Sequence, residues 1–246
     1  MSSNTFCLND INNNLSNLKE NFMHLKEDEA SPINPLEYII SIEEARSNMV
    51  NWLSFLCQKL NFKDETLFRS VTLFDQYFSR ISIEEASNLD QPTLNLITIA
   101  CLSLSTKLEE INCNYISFLN EKVLNSPNSQ VFTNKDLTKM ELKILKTLKF
   151  KTLYSTPLEF MEIYLEIYRN IVGVEDSQLI SNIKALAFNL MKNNINNIMY
   201  LTNTASHFAY LCFTQALNQL SMMNSLISKK MQKSIFTFNY QFANIL

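Results

Sequence analysis

The side chains that could perform acid–base chemistry in this chain are few and badly arranged for it. Glu109 and Glu110 are adjacent in a segment with helical periodicity, where neighbouring side chains point about 100° apart and cannot converge on one substrate. His207 lies among apolar residues, as histidines of a protein core do. These three residues are the only acid–base candidates that we identify, and we predict that the chain is not an enzyme.

Metal, redox and phosphate-binding sites are not indicated either. Dinucleotide and phosphate loops need several glycines, whereas the chain has a single one, Gly173. Its two histidines cannot complete a metal set of two cysteines and two histidines at a recognised spacing. We therefore expect reduced, buried thiols and no cofactor or metal. The five cysteines are scattered without a Cys-x-x-Cys pair: Cys7, Cys57, Cys101, Cys113 and Cys212.

Charge and hydropathy narrow the class of partner. The net charge of -3 and the pI near 5.5 provide no basic footprint for a phosphate backbone, so direct nucleic-acid binding is not expected. No basic region followed by an apolar core opens the chain, so we expect no secretory signal. Residues 193–228 lack Asp, Glu, Lys and Arg but are interrupted throughout by Asn and Gln. We interpret them as buried helices and not as a membrane span, and we expect a protein partner.

Hydrophobic periodicity predicts an all-α chain. One glycine and five prolines are too few for a β-sandwich or barrel, which needs a turn every 8–12 residues or so. Leu15, Leu18, Phe22 and Leu25 recur at three- and four-residue steps and predict an amphipathic helix near the N-terminus. A later helix, over residues 94–108, is apolar nearly all round and should be central in its bundle.

Capping signals suggest how the chain is divided. Ser41 with Glu44 forms a capping box that predicts a helix start. Thr156 followed by Pro157 predicts another start, because proline is favoured at the first helical position. The stretch before it, 149–155, has no helical stripe and is the expected boundary between two consecutive helical bundles. We predict an N-terminal segment with the amphipathic helix over 1–40, a first bundle over 41–153 and a second bundle over 154–246.

Five short motifs follow one another in the first bundle: residues 45–53 read ARSNMVNWL, 65–67 read ETL, 73–79 read LFDQYFS, 105–110 read STKLEE and 140–150 read MELKILKTLKF. In order and spacing they resemble the cyclin box, with its Met-Arg-x-x-x-Val-Asp-Trp-Leu opening and its Ser-Lys-Phe-Glu-Glu and Met-Glu-x-x-(aliphatic)-Leu segments. The resemblance covers roughly residues 15–150 and extends to the second bundle only by helix pattern. Among cyclins, the sequence most resembles the cell-cycle types A, B, D and E.

The resemblance implies roles for individual residues. Arg46, Asp75, Leu96, Lys107 and Glu141 occupy the five signature positions of the family. In cyclins the Arg and the Asp form a buried structural ion pair, which we expect here between Arg46 and Asp75. Lys107 and Glu141 would face a kinase and bond backbone groups at the end of its C-helix. The apolar residues expected in the same kinase-binding surface are Leu96, Leu108, Leu145 and Phe150.

What the resemblance implies for function is a regulatory subunit. Alone it would be a monomer, and it would bind and activate a cyclin-dependent serine/threonine protein kinase in cell-cycle control, in the nucleus, the cytoplasm or both. The alternative is a cyclin-fold scaffold or transcription adaptor without a kinase, since a fold does not determine a function. For Lys107 taken alone, the alternative is an ordinary ion pair with a nearby carboxylate on a solvated face.

Two further features are candidates for interaction. The substrate-docking patch of A-type and E-type cyclins is matched only by Met49, Trp52 and Asn95, which weakens the expectation of Arg-x-Leu substrates. The tripeptide 19–21, Lys19-Glu20-Asn21, spells a KEN degron, by which a ubiquitin ligase would recognise the chain. Its alternative is the ordinary polar face of the first amphipathic helix.

Overall fold

The computed structural model describes residues 3–33, 35–111, 132–172 and 177–223, and these form ten helices. In chain order they are α1 Ser3–Glu27, α2 Pro35–Leu60, α3 Asp64–Phe78, α4 Ile83–Ser87, α5 Gln91–Glu109, α6 Asn134–Thr147, α7 Pro157–Val172, α8 Ser177–Asn194, α9 Ile198–Thr202 and α10 Ala205–Met223. The predicted all-α class is confirmed. Cys113, Gly173 and the end of the uncharged stretch, 224–228, lie outside the described residues.

Backbone packing divides the described residues into two compact units. The first unit consists of Ala30–Thr156 and Asn196–Thr202 and holds α2 to α6 together with α9. The second unit consists of Met1–Glu29, Pro157–Ile195 and Asn203–Leu246 and holds α1, α7, α8 and α10. Each unit is therefore assembled from segments that are not consecutive in the sequence.

Helix α5 is the central element of the first unit, as its apolar sequence predicts. Asp90 caps its start by accepting a hydrogen bond from the backbone N–H of Thr93 at 3.0 Å. Hydrogen bonding to the Thr93 side chain, and then to this N–H, lowers the pKa of the Asp90 carboxyl. Residues 97–106 are all buried, because α3 packs on one side of α5 and α6 on another. Helix α3 is equally enclosed, with every residue from 66 to 78 buried.

The start of α2 differs from the sequence prediction. The capping box at Ser41 suggested a start there, but the helix begins at Pro35. Proline is well suited to a first helical position because its φ angle is already helical and its missing N–H would have no intrahelical partner. The helix therefore begins six residues earlier, and Ser41 lies inside it.

Helices α2 and α6 each end in a turn of the same type, with a left-handed residue just past the helix. After α2, the N–H of Phe62 donates to the carbonyl of Cys57 at 2.9 Å, and Asn61 has φ 54°. After α6, the N–H of Phe150 donates to the carbonyl of Leu145 at 2.7 Å. These are Schellman bonds, which require a left-handed residue just past the helix. Asparagine tolerates that conformation, whereas α6 uses Lys149 with φ 52°, and Phe150 is left-handed as well, with φ 61°.

In the second unit, α1 packs on α7. The Phe22 ring is buried and meets the Phe160 ring edge-on at 5.5 Å between centroids. The Tyr164 hydroxyl, also on α7, donates to the carbonyl of Ser206 in α10 at 2.9 Å, and the Ser206 N–H donates to Glu29 Oε1 at 2.5 Å. The helix predicted from Leu15 to Leu25 is thus part of a packed unit.

Within the described ranges, no helix has both the length and the apolar composition that a bilayer crossing requires.

Replacing Lys149 by Gly should stabilise the first unit. Glycine adopts the left-handed conformation without the side-chain clash, and the unfolding free energy should rise by about 0.5–1 kcal/mol after the entropy that glycine adds to the unfolded chain. Urea denaturation followed by the fluorescence of Trp52, the single tryptophan, would measure this change. The control is Lys139→Gly inside α6, which should lower the unfolding free energy by about 1 kcal/mol. A loss of stability in Lys149→Gly would contradict the assignment.

Candidate functional site

Lys107 and Glu141 form an ion pair where α5 and α6 pack together. Lys107 Nζ lies 2.6 Å from Glu141 Oε1, and the hydroxyl of Ser103, one turn earlier on α5, donates to the same oxygen at 2.7 Å. Glu141 is only 8% exposed, because α6 turns it toward α5. The Lys107 side chain is 38% exposed. The pair therefore has a buried carboxylate and a cation at the surface.

The geometry of this pair leaves hydrogen-bonding capacity on both sides. An ammonium group has three N–H donors and a carboxylate has about four acceptor positions. Both bonds described end on Glu141 Oε1, and Lys107 donates to one acceptor. Lys107 thus forms an intrachain ion pair, as the ordinary alternative expected, and the carboxylate it contacts is that of Glu141, the other signature residue. The remaining donors and acceptors of the two side chains can still bind backbone groups of another protein.

The apolar residues predicted to surround this pair differ in exposure. Phe150 is 64% exposed and Leu108 is exposed at the end of α5. Leu96 and Leu145 are half-buried and pack against the core of the first unit. The left-handed φ of Phe150 is unfavourable for a bulky residue, and it occurs at an exposed aromatic side chain.

Three exposed apolar residues near these positions were not singled out from the sequence. They are Ile111 just after α5, Leu142 on α6 and Leu153 beyond α6. Leu142 follows Glu141 directly and therefore points about 100° away from it, out of the core stripe of Leu137, Ile144 and Leu148. An apolar residue outside the core stripe of an amphipathic helix was the sequence signal that could have found it.

Arg46 and Asp75 form a sealed ion pair in the first unit. Arg46 Nε donates to Oδ1 of Asp75 at 2.8 Å and Nη2 donates to Oδ2 at 2.9 Å, and both side chains are 3% exposed. The pair joins α2 to α3, and Arg46 Nη1 also reaches the carbonyl of Asn196 at 3.4 Å. Burial and then the charge of Asp75 raise the pKa of the Cys101 thiol, and burial raises that of the Tyr200 hydroxyl. Both groups therefore stay neutral beside the pair.

The three candidate docking residues are not equally accessible. Met49 is 5% exposed and belongs to the core of the first unit. Trp52 is half-buried against that core, and Asn95 is half-buried and accepts a hydrogen bond from Gln91 Nε2 at 2.9 Å. Trp52 and Asn95 are therefore the members with available surface, and a docking role for the set stays a prediction.

The degron candidate lies on α1. Lys19, Glu20 and Asn21 are all exposed, in a regular helix that runs from Ser3 to Glu27. Consecutive helical residues point about 100° apart, so a receptor that reads all three side chains would require this part of α1 to unwind. The degron stays a prediction.

The acid–base candidates lie in separate environments. Glu109 pairs with Arg69, and Glu110 accepts from the Thr66 hydroxyl at 2.6 Å, so the two carboxylates are directed to different partners. His207 was expected in the core, and that was wrong. It is exposed in the first turn of α10, where its ring stacks on that of Tyr210 at 6.4 Å. The apolar residues that follow it, Phe208 and Ala209, are buried.

No group of three or more His, Cys, Asp or Glu side chains in the described ranges could hold a metal ion. The three cysteines whose side chains are described are buried and form no disulfide: Cys57, Cys101 and Cys212.

Comparison with known proteins identifies related chains. The family model described as "Cyclin, N-terminal domain" matches residues 20–153. Cyclin-B2-2 of Oryza sativa subsp. indica is 28% identical over 124 residues, which are 50% of this chain and 27% of that protein. G2/mitotic-specific cyclin-2 of Saccharomyces cerevisiae is 30% identical over 121 residues, which are 49% of this chain and 22% of that protein. The matched segment thus spans about a quarter of the curated relatives.

The fold also has a solved counterpart. A viral cyclin from herpesvirus saimiri superposes with a TM-score of 0.59 and 19% sequence identity, covering 94% of this chain and 97% of the viral one. At this identity the similarity shows the fold.

Arg46→Met should destabilise the first unit strongly. It leaves Asp75 buried without its main partner, and the expected loss is about 3–5 kcal/mol of unfolding free energy. Urea denaturation followed by Trp52 fluorescence would measure it. The double variant Arg46→Met with Asp75→Leu removes both charges and should recover most of the loss. If the double variant were as unstable as the sum of the single ones, the two side chains would not be coupled in folding.

Proposed function

Because the chain belongs to the cyclin family, we propose that it is a non-catalytic regulatory subunit that binds and activates a cyclin-dependent serine/threonine protein kinase in cell-cycle control. The kinase would carry out phosphoryl transfer. The names of the relatives, B-type and G2/mitotic-specific cyclins, support a role in cell division. We propose residues 41–153 as the binding box, and the nucleus, the cytoplasm or both as its location.

The observation that carries this proposal is the Lys107–Glu141 pair. A half-exposed cation beside a nearly buried carboxylate presents one donor group and one acceptor group at a fixed separation. Backbone groups at one end of a partner's helix provide the complementary chemistry. The helix end leaves one kind of backbone group unpaired, and the residues of the adjoining loop carry the other kind. Exposed Leu108 and Phe150 add apolar area for packing.

Contact with the C-helix would activate the kinase because this helix carries part of the catalytic machinery. Phosphoryl transfer by protein kinases needs the Lys–Glu pair of the C-helix and the magnesium-binding Asp in place. A partner that binds the C-helix in its inward position shifts the kinase toward that arrangement by the difference in its affinity for the two states. In this proposal Lys107 and Glu141 hold the end of the C-helix, and Leu145 and Phe150 pack along it.

The scaffold or adaptor alternative concerns the same surface. A cyclin fold without a kinase would present Lys107 and Glu141 to another protein, or would keep them only as an intrachain pair. The experiment below distinguishes these outcomes because it identifies whatever protein is bound.

Exchanging the two charges, Lys107→Glu with Glu141→Lys, should abolish kinase binding and leave the fold intact. The exchanged pair still attracts itself within the chain, and the Ser103 hydroxyl can accept from the new ammonium group. The charges offered to the kinase are reversed. We expect the association to weaken at least about tenfold, enough to remove the kinase from the purified sample. The measurement is purification of the tagged chain from synchronised cells, with kinase assay and mass-spectrometric identification of bound proteins.

The matched control is the exchange Lys143→Glu with Glu85→Lys. This exposed pair joins α6 to α4 at 2.8 Å, consists of the same two residue types and has one member on the same helix as Glu141. It should leave kinase recovery unchanged. Equal kinase recovery with the Lys107/Glu141 exchange and with wild type would contradict the proposed surface. No kinase with wild type at any stage would favour the adaptor.

A further inference from the structure

Arg69 is a charged residue inside the buried helix α3 that no motif of the sequence marked. The residue is 6% exposed, and burial of a guanidinium is unfavourable unless its charge and N–H groups are satisfied. Its Nε donates to Glu109 Oε1. Its Nη1 donates to the backbone carbonyl of Tyr154 at 2.8 Å. One guanidinium therefore bonds two segments of the first unit at once.

Each of these partners lies beside the proposed kinase-binding surface. Glu109 is the last residue of α5, next to Leu108 and two residues after Lys107. Tyr154 follows exposed Leu153 and comes four residues after Phe150. Arg69 is thus bonded to the end of α5 on one side and to the segment that follows α6 on the other.

The segment over residues 149–155 depends on such anchoring, because it is not helical. It leaves α6 through the left-handed residues Lys149 and Phe150. Tyr154 is the residue of this segment with the most contacts described. It is buried, its hydroxyl accepts a hydrogen bond from Arg80 Nη2 at 3.0 Å, and Lys151 Nζ lies 5.4 Å from the centre of its ring. Arg69 holds the backbone of this residue, and so fixes where the preceding exposed residues lie.

We propose that Arg69 is a positioning residue for the kinase-binding surface: it sets the separation between the end of α5, with Lys107 and Leu108, and the segment with Phe150 and Leu153. This inference rests on the proposed function. A planar guanidinium suits the task because its Nε and Nη edges donate in fixed directions, whereas a lysine ammonium on a flexible stem is a single point charge. Arg69 does not touch the kinase in this proposal.

The test compares three variants of the full chain by hydrogen–deuterium exchange of residues 105–111 and 149–155. Arg69→Lys keeps a cation for Glu109 but has no second nitrogen to donate to the Tyr154 carbonyl. Exchange should therefore rise over 149–155 and stay near wild type over 105–111. Glu109→Gln weakens the other bond and should give the opposite pattern. Arg69→Leu should raise exchange in both segments. General destabilisation would not produce two opposite patterns.

The same variants are then titrated with the kinase that co-purifies with the wild-type chain. We expect Arg69→Leu to weaken binding roughly tenfold, because a shift of order 1 Å between the two edges degrades several contacts together. Arg69→Lys should fall between Arg69→Leu and wild type. The control is Arg169→Leu, which removes an exposed arginine paired with Glu166 on α7 and should change neither exchange pattern nor affinity.

The outcomes separate this inference from the proposed function. Wild-type exchange in Arg69→Lys over 149–155 would overturn the positioning role while kinase binding stands. Raised exchange with wild-type affinity would also overturn it, because the spacing would then be irrelevant to binding. If wild type bound no kinase, the proposed function would fail, and the exchange patterns would still report whether Arg69 holds both segments.

Discussion

Most of helix α3 and residues 97–106 of helix α5 are buried, so the polar groups that they carry must be satisfied inside the protein. Asp75 on α3 bonds Arg46 on α2, and Ser103 on α5 bonds Glu141 on α6. Thr72 on α3 meets the Tyr200 hydroxyl of α9 at 3.0 Å. Because an unsatisfied buried polar group is so unfavourable, these bonds determine which neighbouring elements lie against the central helices.

Two ion pairs in this unit have the same chemistry and different burial. Arg46 and Asp75 are buried and joined by two hydrogen bonds, and this ion pair holds α2 against α3. Lys107 and Glu141 lie where the central helix α5 reaches the surface, and Lys107 keeps much of its side chain in solvent. A sealed pair can only support the fold, whereas a half-open pair can also bind a partner. The two pairs therefore differ in burial as well as in residue type.

Several expectations from sequence depended on surroundings that are not local. Helix α2 begins at Pro35 and not at the Ser41 capping box, because proline is a good first helical residue. His207 is exposed although its sequence neighbours are apolar, because a helix turns successive residues to different sides. Met49, a candidate docking residue, lies in the core because α2 turns its side chain toward the rest of the first unit. Periodicity predicts that a stripe exists, but the packed partners determine how wide it is.

The sequence by itself determined the all-α class, the central position of α5, the family and the residues at its signature positions, because helical period, capping and ordered motifs are local properties of the chain. Apart from the Arg46–Asp75 pair, which the family resemblance implied, only the tertiary structure decided which charges meet. Arg69 bonds Glu109 and Tyr154, which are 40 and 85 residues away along the chain. It also decided that Lys107 closes on Glu141, 34 residues away. Such pairings depend on how helices pack across a shared core, and no local pattern encodes that distance.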